Sequence, residues 1–141
     1  MEKAKVLVST WVDASIERAW ECWTDPRYIT RWNFASPDWH CPRAANDLRV
    51  GGAFSARMEA RDGSFGFDFA GTYTAVVPRE RLEYKLGEER SVRVTFASDG
   101  VGVRVDEEFD AEEENPIEMQ RSGWQSILDN YKACVESRIE A

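Results

Sequence analysis

The stretch Asn115-Pro116-Ile117-Glu118-Met119-Gln120-Arg121-Ser122-Gly123-Trp124-Gln125-Ser126-Ile127-Leu128-Asp129-Asn130-Tyr131-Lys132-Ala133-Cys134-Val135-Glu136-Ser137-Arg138-Ile139 decides the fold. Ile117, Trp124, Ile127, Leu128, Tyr131, Cys134, Val135 and Ile139 recur at helical spacing, with Gln120, Gln125, Asp129, Lys132 and Glu136 between them. One face is oily and the other wet, so the pattern predicts a helix over Pro116 to Ile139. Asn115 reads as its N-cap, Pro116 as its first residue, and Glu118 as the reciprocal member of a capping box. A helix this long, with this much aromatic surface, must bury that face against another layer.

The rest of the chain supplies the layer as strands. Lys5 to Val12 is rich in Val, Thr and Trp with rough alternation, a strand signature. Ser15 can cap a helix over Ile16 to Thr24, with Ile16, Ala19, Trp20 and Trp23 on one face. Asp25-Pro26 ends it and opens a second helix over Pro26 to Trp32. Asn33 to Pro42 reads as a loop carrying Phe34, Trp39, His40 and Cys41, followed by a short strand within Ala44 to Val50 and a Gly51-Gly52 break. Ala53 to Ala60 alternates, with Phe54, Ala56, Met58 and Ala60 in phase and Arg57 and Glu59 facing solvent. Asp62-Gly63 marks a hairpin into Phe65 to Val77, where Phe65, Phe67, Phe69, Gly71 and Tyr73 share a phase. Strands over Arg81 to Leu86, Ser91 to Ala97 and Val101 to Phe109 complete a meander, the last two joined at Ser98-Asp99-Gly100. The order is strand, two short helices, up to six strands, long helix. Short hairpins make the sheet antiparallel, so the class is α+β: a curved sheet whose greasy face meets the C-terminal helix.

At 141 residues the chain is expected to form a single domain spanning 1–141, with 43% hydrophobic residues to build a core. The net charge of -8 and the lack of a basic stripe argue against nucleic acid. The acidic run Asp106 to Glu114 reads as a solvated strand end and loop. Three cysteines, widely spaced, with one histidine, provide no zinc ligand set, and neither a metal nor another cofactor is expected. Cys22 and Cys134 read as small core residues. No apolar run is long enough to span a bilayer and the N-terminus carries no signal-peptide core, so a cytoplasmic protein with reduced thiols is expected.

Several short motifs, taken in order, resemble one family. They are Ala14-Ser15-Ile16-Glu17-Arg18-Ala19-Trp20, Trp23-Thr24-Asp25-Pro26 with Trp32, Leu48-Arg49-Val50-Gly51-Gly52, and Asp62-Gly63. Then come Phe69-Ala70-Gly71-Thr72-Tyr73, Val77-Pro78-Arg79-Glu80-Arg81-Leu82, and Gly123-Trp124 with Leu128. The set resembles the START/Bet v 1-like (SRPBCC) superfamily of helix-grip proteins, most closely the subgroup related to the C-terminal domain of the activator of Hsp90 ATPase. The resemblance implies a cavity between the curved sheet and the helix. It also implies ligands such as lipids, sterols, polyketides or plant hormones, with aromatase/cyclase or hydrolase activity in some members. The family shares no catalytic motif, so it assigns no catalytic residue here. Co-chaperone work belongs to eukaryotic relatives with an added N-terminal domain, for which this chain has no room.

Strict alternation places Glu107 between Val105 and Phe109 on the inward face, where a carboxyl needs a partner or water and its pKa should rise. A bulge near the strand end would instead turn it outward. His40 is the sole imidazole, expected at the cavity mouth or simply in an exposed loop. Trp32, Trp39, Trp124, Tyr73 and Tyr84 can form an aromatic pocket with polar tips, or ordinary core; Phe54, Met58, Phe69 and Leu128 join the same wall. Three functions are compatible with this set. The first is binding of a small hydrophobic or aromatic ligand in the cavity. The second is a cyclase-, dehydratase- or hydrolase-like enzyme on the same cavity, with Glu107 or His40 as acid/base. The third is a stress-response or chaperone-linked interaction module. The oligomeric state, monomer or homodimer, is open.

Overall fold

The computed structural model describes residues 4–140. The elements are β1 (Lys5–Val12), α1 (Ile16–Thr24), α2 (Pro26–Trp32), β2 (Trp39–Asn46), β3 (Ala53–Ala60), β4 (Gly66–Val77), β5 (Arg81–Leu86), β6 (Arg90–Asp99), β7 (Gly102–Asp110) and α3 (Ile117–Ser137). The strands form one seven-stranded sheet in the order β1-β7-β6-β5-β4-β3-β2. All pairings are antiparallel: the meander runs from β2 to β7, and β1 closes onto β7. The sheet curls around α3, as the alternation and the resemblance imply.

Local chemistry sets the short helices. Ser15 accepts the Arg18 N–H, and Asp25 accepts the Arg27 N–H at the start of α2. The inward residues Val8, Leu82, Val94, Val105 and Phe109 from four strands are buried against Leu128, Tyr131 and Val135 of α3. Tyr131, fully buried, donates a 2.6 Å hydrogen bond to the Ala19 carbonyl and so ties α3 to α1.

Some expectations need correction. The segment read as a loop over Asn33 to Pro42 enters β2 at Trp39, and β2 ends at Asn46, short of Val50. Pro42 suggested a loop because it lacks an N–H, but it falls where the β2–β3 register shifts between His40 and Arg43, an irregularity that tolerates a missing donor. The capping box at Asn115 does not form: α3 starts at Ile117 with no side-chain cap. Instead the Glu112 carboxylate accepts the N–H groups of Glu114 and Asn115, and the Gln120 amide donates to the Glu112 and Asn115 carbonyls. This role buries Gln120, which the amphipathic pattern placed on the wet face. Phe65 and Phe67 keep the predicted phase yet are exposed, because the β3–β4 hairpin runs past the helical layer.

The wet face of α3 is also not simply solvated. Arg121, Gln125 and Lys132 donate to the carbonyls of Leu7, Ser9 and Trp11, alternate residues of the edge strand β1. These are the acceptors that an edge strand would otherwise offer to a foreign strand.

At its other end α3 has no basic residue in its last turn. Arg18 of α1 supplies the charge instead, donating to the carbonyls of Cys134, Val135 and Ile139 and to the Tyr28 hydroxyl.

Candidate functional site

Between α3 and the inner face of the sheet lies a cavity of about 60 Å³. Helices α1 and α2 bring Trp23, Ile29 and Trp32 to it, with Asn33 just past the end of α2; β3 brings Phe54 and Ala56. Phe69 and Tyr73 come from β4, Tyr84 from β5, Glu107 from β7, and Trp124 and Ile127 from α3. Several rings in and beside the wall pack edge to face, and others are tilted. Trp23 and Trp32 both meet Tyr131, at 4.9 and 5.3 Å between centroids, and Phe54 meets Tyr84 at 4.7 Å.

Gly71 makes room for this wall. It pairs with Phe54 across β3–β4, and a Cβ there would lie 2.8 Å from the Phe54 ring and 2.6 Å from the Lys85 carbonyl oxygen. Only glycine lets the Phe54 ring lie over this strand.

Glu107 points inward. Its register is unbroken on both sides, opposite Val8 of β1 and Val94 of β6, so no bulge turns it out. It is 6% exposed, and among the described residues it makes no hydrogen bond or ion pair. Burial alone pushes its carboxyl up to about 8. Tyr84 faces the same space with its hydroxyl also unbonded among the described residues; burial, followed by the Glu107 charge, raises its phenol well above the ordinary value. Tyr73 differs: its hydroxyl donates to Asn46 Oδ1 at 2.7 Å, while Asn46 Nδ2 donates to the Thr24 carbonyl. Burial still raises Tyr73 to about 12.

Of the residues singled out from the sequence, Trp32, Phe54, Phe69 and Tyr73 line the cavity together with Tyr84, Glu107 and Trp124. The other four do not. Leu128 and Met58 are buried in neighbouring packing. Trp39 packs on Phe67 at the far end of the β3–β4 hairpin, 5.9 Å between ring centroids. His40 lies half-exposed on β2 with Nε2 3.8 Å from Glu59 Oε1, away from the cavity lining. Trp23, Ile29 and Asn33 were not anticipated as site residues. Trp23 carried a usable signal, since it shares the apolar face of α1 with Ala19 and Trp20, but that signal does not separate cavity wall from core.

Among the described residues no group of three or more His, Cys, Asp or Glu side chains could hold a metal ion, and no helix is long and apolar enough to cross a membrane.

A seven-stranded curled sheet gripping a C-terminal helix defines the START/Bet v 1-like helix-grip class, a fold that commonly binds ligands in its cavity. Residues 13–136 match the family described as Activator of Hsp90 ATPase homolog 1-like protein, and the chain belongs to that family. It is similar to an AHSA1-like protein from Aeromonas hydrophila, 46% identical, with a TM-score of 0.89 over 95% of this chain and 93% of that one. A Cytophaga hutchinsonii protein is 43% identical, with a TM-score of 0.81 over 97% of both chains. A Chromobacterium violaceum protein is 25% identical, with a TM-score of 0.84 over 94% of this chain and 98% of that one. No curated protein matches the chain.

Proposed function

We propose that this protein binds a small, largely apolar molecule in the cavity between the sheet and α3. The observation that carries the reading is Glu107: a buried carboxyl with no partner among the described residues, aimed into a space walled by aromatic rings. Native interiors rarely leave such a group unpaired, so its partner is expected to be a ligand or ordered water. Tyr84 and Asn33, buried and also without side-chain hydrogen bonds among the described residues, add polar points that would orient a guest. Size restricts the guest. A cavity that admits benzene measures roughly 150 Å³ and drug-sized pockets roughly 300 Å³ or more. At about 60 Å³ this one suits a few non-hydrogen atoms unless Trp124 and Ile127, the half-exposed wall on α3, move outward.

The test is native mass spectrometry of freshly purified protein before and after solvent extraction, followed by thermal scans with small apolar compounds. A discrete mass lost on extraction, or a rise in Tm saturating with one compound, supports the reading. A clean apo mass together with no stabilisation by any compound removes it.

A second reading, catalysis in the same cavity, draws on one observation. Glu107 at about 8 titrates near neutral pH, where general acid/base groups work best. Turnover surviving in Glu107→Gln would exclude it. His40 takes no part in this reading, since it does not line the cavity.

A further inference from the structure

We infer that the cavity is selective for a small organic cation, an alkylamine or quaternary ammonium, whose charge would be met by Glu107 and by the faces of the surrounding rings. This rests on the cavity being a binding site and names the chemistry of its guest.

The balance of charge in the wall comes first. Among the described residues Glu107 is the one carboxyl lining the cavity, and no Lys, Arg or His lines it with it. The other buried acid of β7, Asp110, has a cation of the chain, Lys5 Nζ at 2.7 Å, and the Ser91 N–H at 2.9 Å. Glu107 has neither. A buried carboxylate left without a counter-charge is costly, and a guest carrying that charge relieves the cost. An anionic guest would meet Glu107 with no cation to offset it.

The aromatic content of the wall favours a cation over a neutral hydrogen-bond acceptor, which the Tyr84 hydroxyl and the Asn33 amide would serve. A protonated Glu107 could also donate to a carbonyl. Aromatic faces, however, give a carbonyl oxygen nothing, whereas they attract a cation through the ring quadrupole. The wall presents three indoles, Trp23, Trp32 and Trp124, and adds Phe54 and Phe69. Indole is the strongest partner for a cation among these rings.

Proton balance makes the inference measurable. The titratable groups facing Glu107 are the phenols of Tyr84 and Tyr73; Val8 and Val94 flank it on β1 and β6, and α1 and α3 offer Trp23, Trp124 and Ile127. At pH 7 Glu107 holds its proton, since burial raises it to about 8. An alkylammonium ion entering as the cation displaces that proton to the buffer. Affinity for the cation therefore rises by up to about tenfold per pH unit below 8 and levels above it. A neutral acceptor shows the opposite trend, losing affinity above pH 8.

The test is calorimetric titration of the full chain with isobutylamine, tetramethylammonium and the neutral isostere isobutanol, between pH 6 and 8.5, in two buffers of different ionisation enthalpy. The expected result is that at least one of the two cations binds at least about tenfold tighter than isobutanol at pH 8, with proton release at pH 7. In Glu107→Gln, whose amide matches the neutral acid in shape, that preference is lost while isobutanol binding persists. Isobutanol binding as tightly as both cations, with no proton release, overturns the cation inference but leaves the cavity a binding site. No heat and no thermal stabilisation with all three probes at millimolar concentration overturns the cation inference. The broader binding reading then stands or falls on the extraction experiment.

Discussion

Phe109 of β7 and Trp124 of α3 stack almost parallel, 3.8 Å between ring centroids and 12° between planes. Ring quadrupoles favour offset or edge-on pairs, so this contact is held by the area it removes from water and not by ring electrostatics. Phe109 is fully buried beneath it, and Trp124 also lines the cavity. The pair therefore clamps helix on sheet beside the site, with Trp124 shared between the two.

Trp124→Ala is expected to cost about 3 kcal/mol, the low end for removing a large aromatic because the indole is half-buried. Urea denaturation measures it. Added indole is expected to raise the Tm of the variant more than that of the parent by refilling the space. An unchanged midpoint would show that the stack does not clamp the helix.

Glu107 is expected to give the protein a stability that declines towards alkaline pH. Its carboxyl is raised from 4.5 to about 8 in the folded state, so between those values the native protein holds a proton that the unfolded chain releases. The contribution is complete below the unfolded value and is lost as pH rises through about 8. With about 1.4 kcal/mol per pKa unit, the decline is on the order of a few kcal/mol. Glu107→Gln is expected to match the parent at pH 5 and exceed it at pH 8.5 in thermal or urea unfolding. Parallel profiles for the two proteins would remove Glu107 as the source.

Arg18→Ala is expected to loosen the end of α3. The guanidinium reaches three carbonyls there and also lies over the Tyr28 ring, 4.9 Å from its centroid. Loss of these charge-assisted bonds should destabilise by about 2 kcal/mol. Hydrogen exchange should speed up first at residues 134–139. Arg18→Lys should recover only part, since an ammonium cannot fork between carbonyls.

Cys134 should be the first thiol to react. The neighbouring Cys22 thiol, followed by the charges of Arg18 and Arg31, lowers its pKa, and it is half-buried where Cys22 and Cys41 are buried. Cys22 is raised, chiefly by the neighbouring Cys134 thiol and then by burial, and burial raises Cys41. Iodoacetamide at pH 7.5, followed by peptide mass spectrometry, is expected to label Cys134 well ahead of the other two. Equal rates would contradict this ordering.

The bounds of β1, α1, α2, β3 and β5 were legible in the sequence because each depends on neighbours a few positions away: a cap, a proline at a helix start, an alternation of period two. The inward setting of Glu107 was legible as one of two options. The pairing of β7 with both β1 and β6 excludes the other, and a strand read alone cannot report its partners. His40, expected at the cavity mouth or in an exposed loop, and Trp39, expected in the aromatic pocket or the core, both lie on β2, which Pro42 made look like a loop; Trp39 packs on Phe67 at the hairpin end and His40 lies beside Glu59 of β3.

By itself the sequence determined the element types, their order and the faces that seek burial, because helical and strand periodicities are properties of a local backbone. Only the tertiary structure decided which buried rings touch one another and which face empty space, since that depends on how closely α3 approaches a curved sheet. It also decided that Arg121, Gln125 and Lys132, polar by pattern, seal the carbonyl edge of β1. That pairing joins residues more than a hundred positions apart, and no local period encodes it.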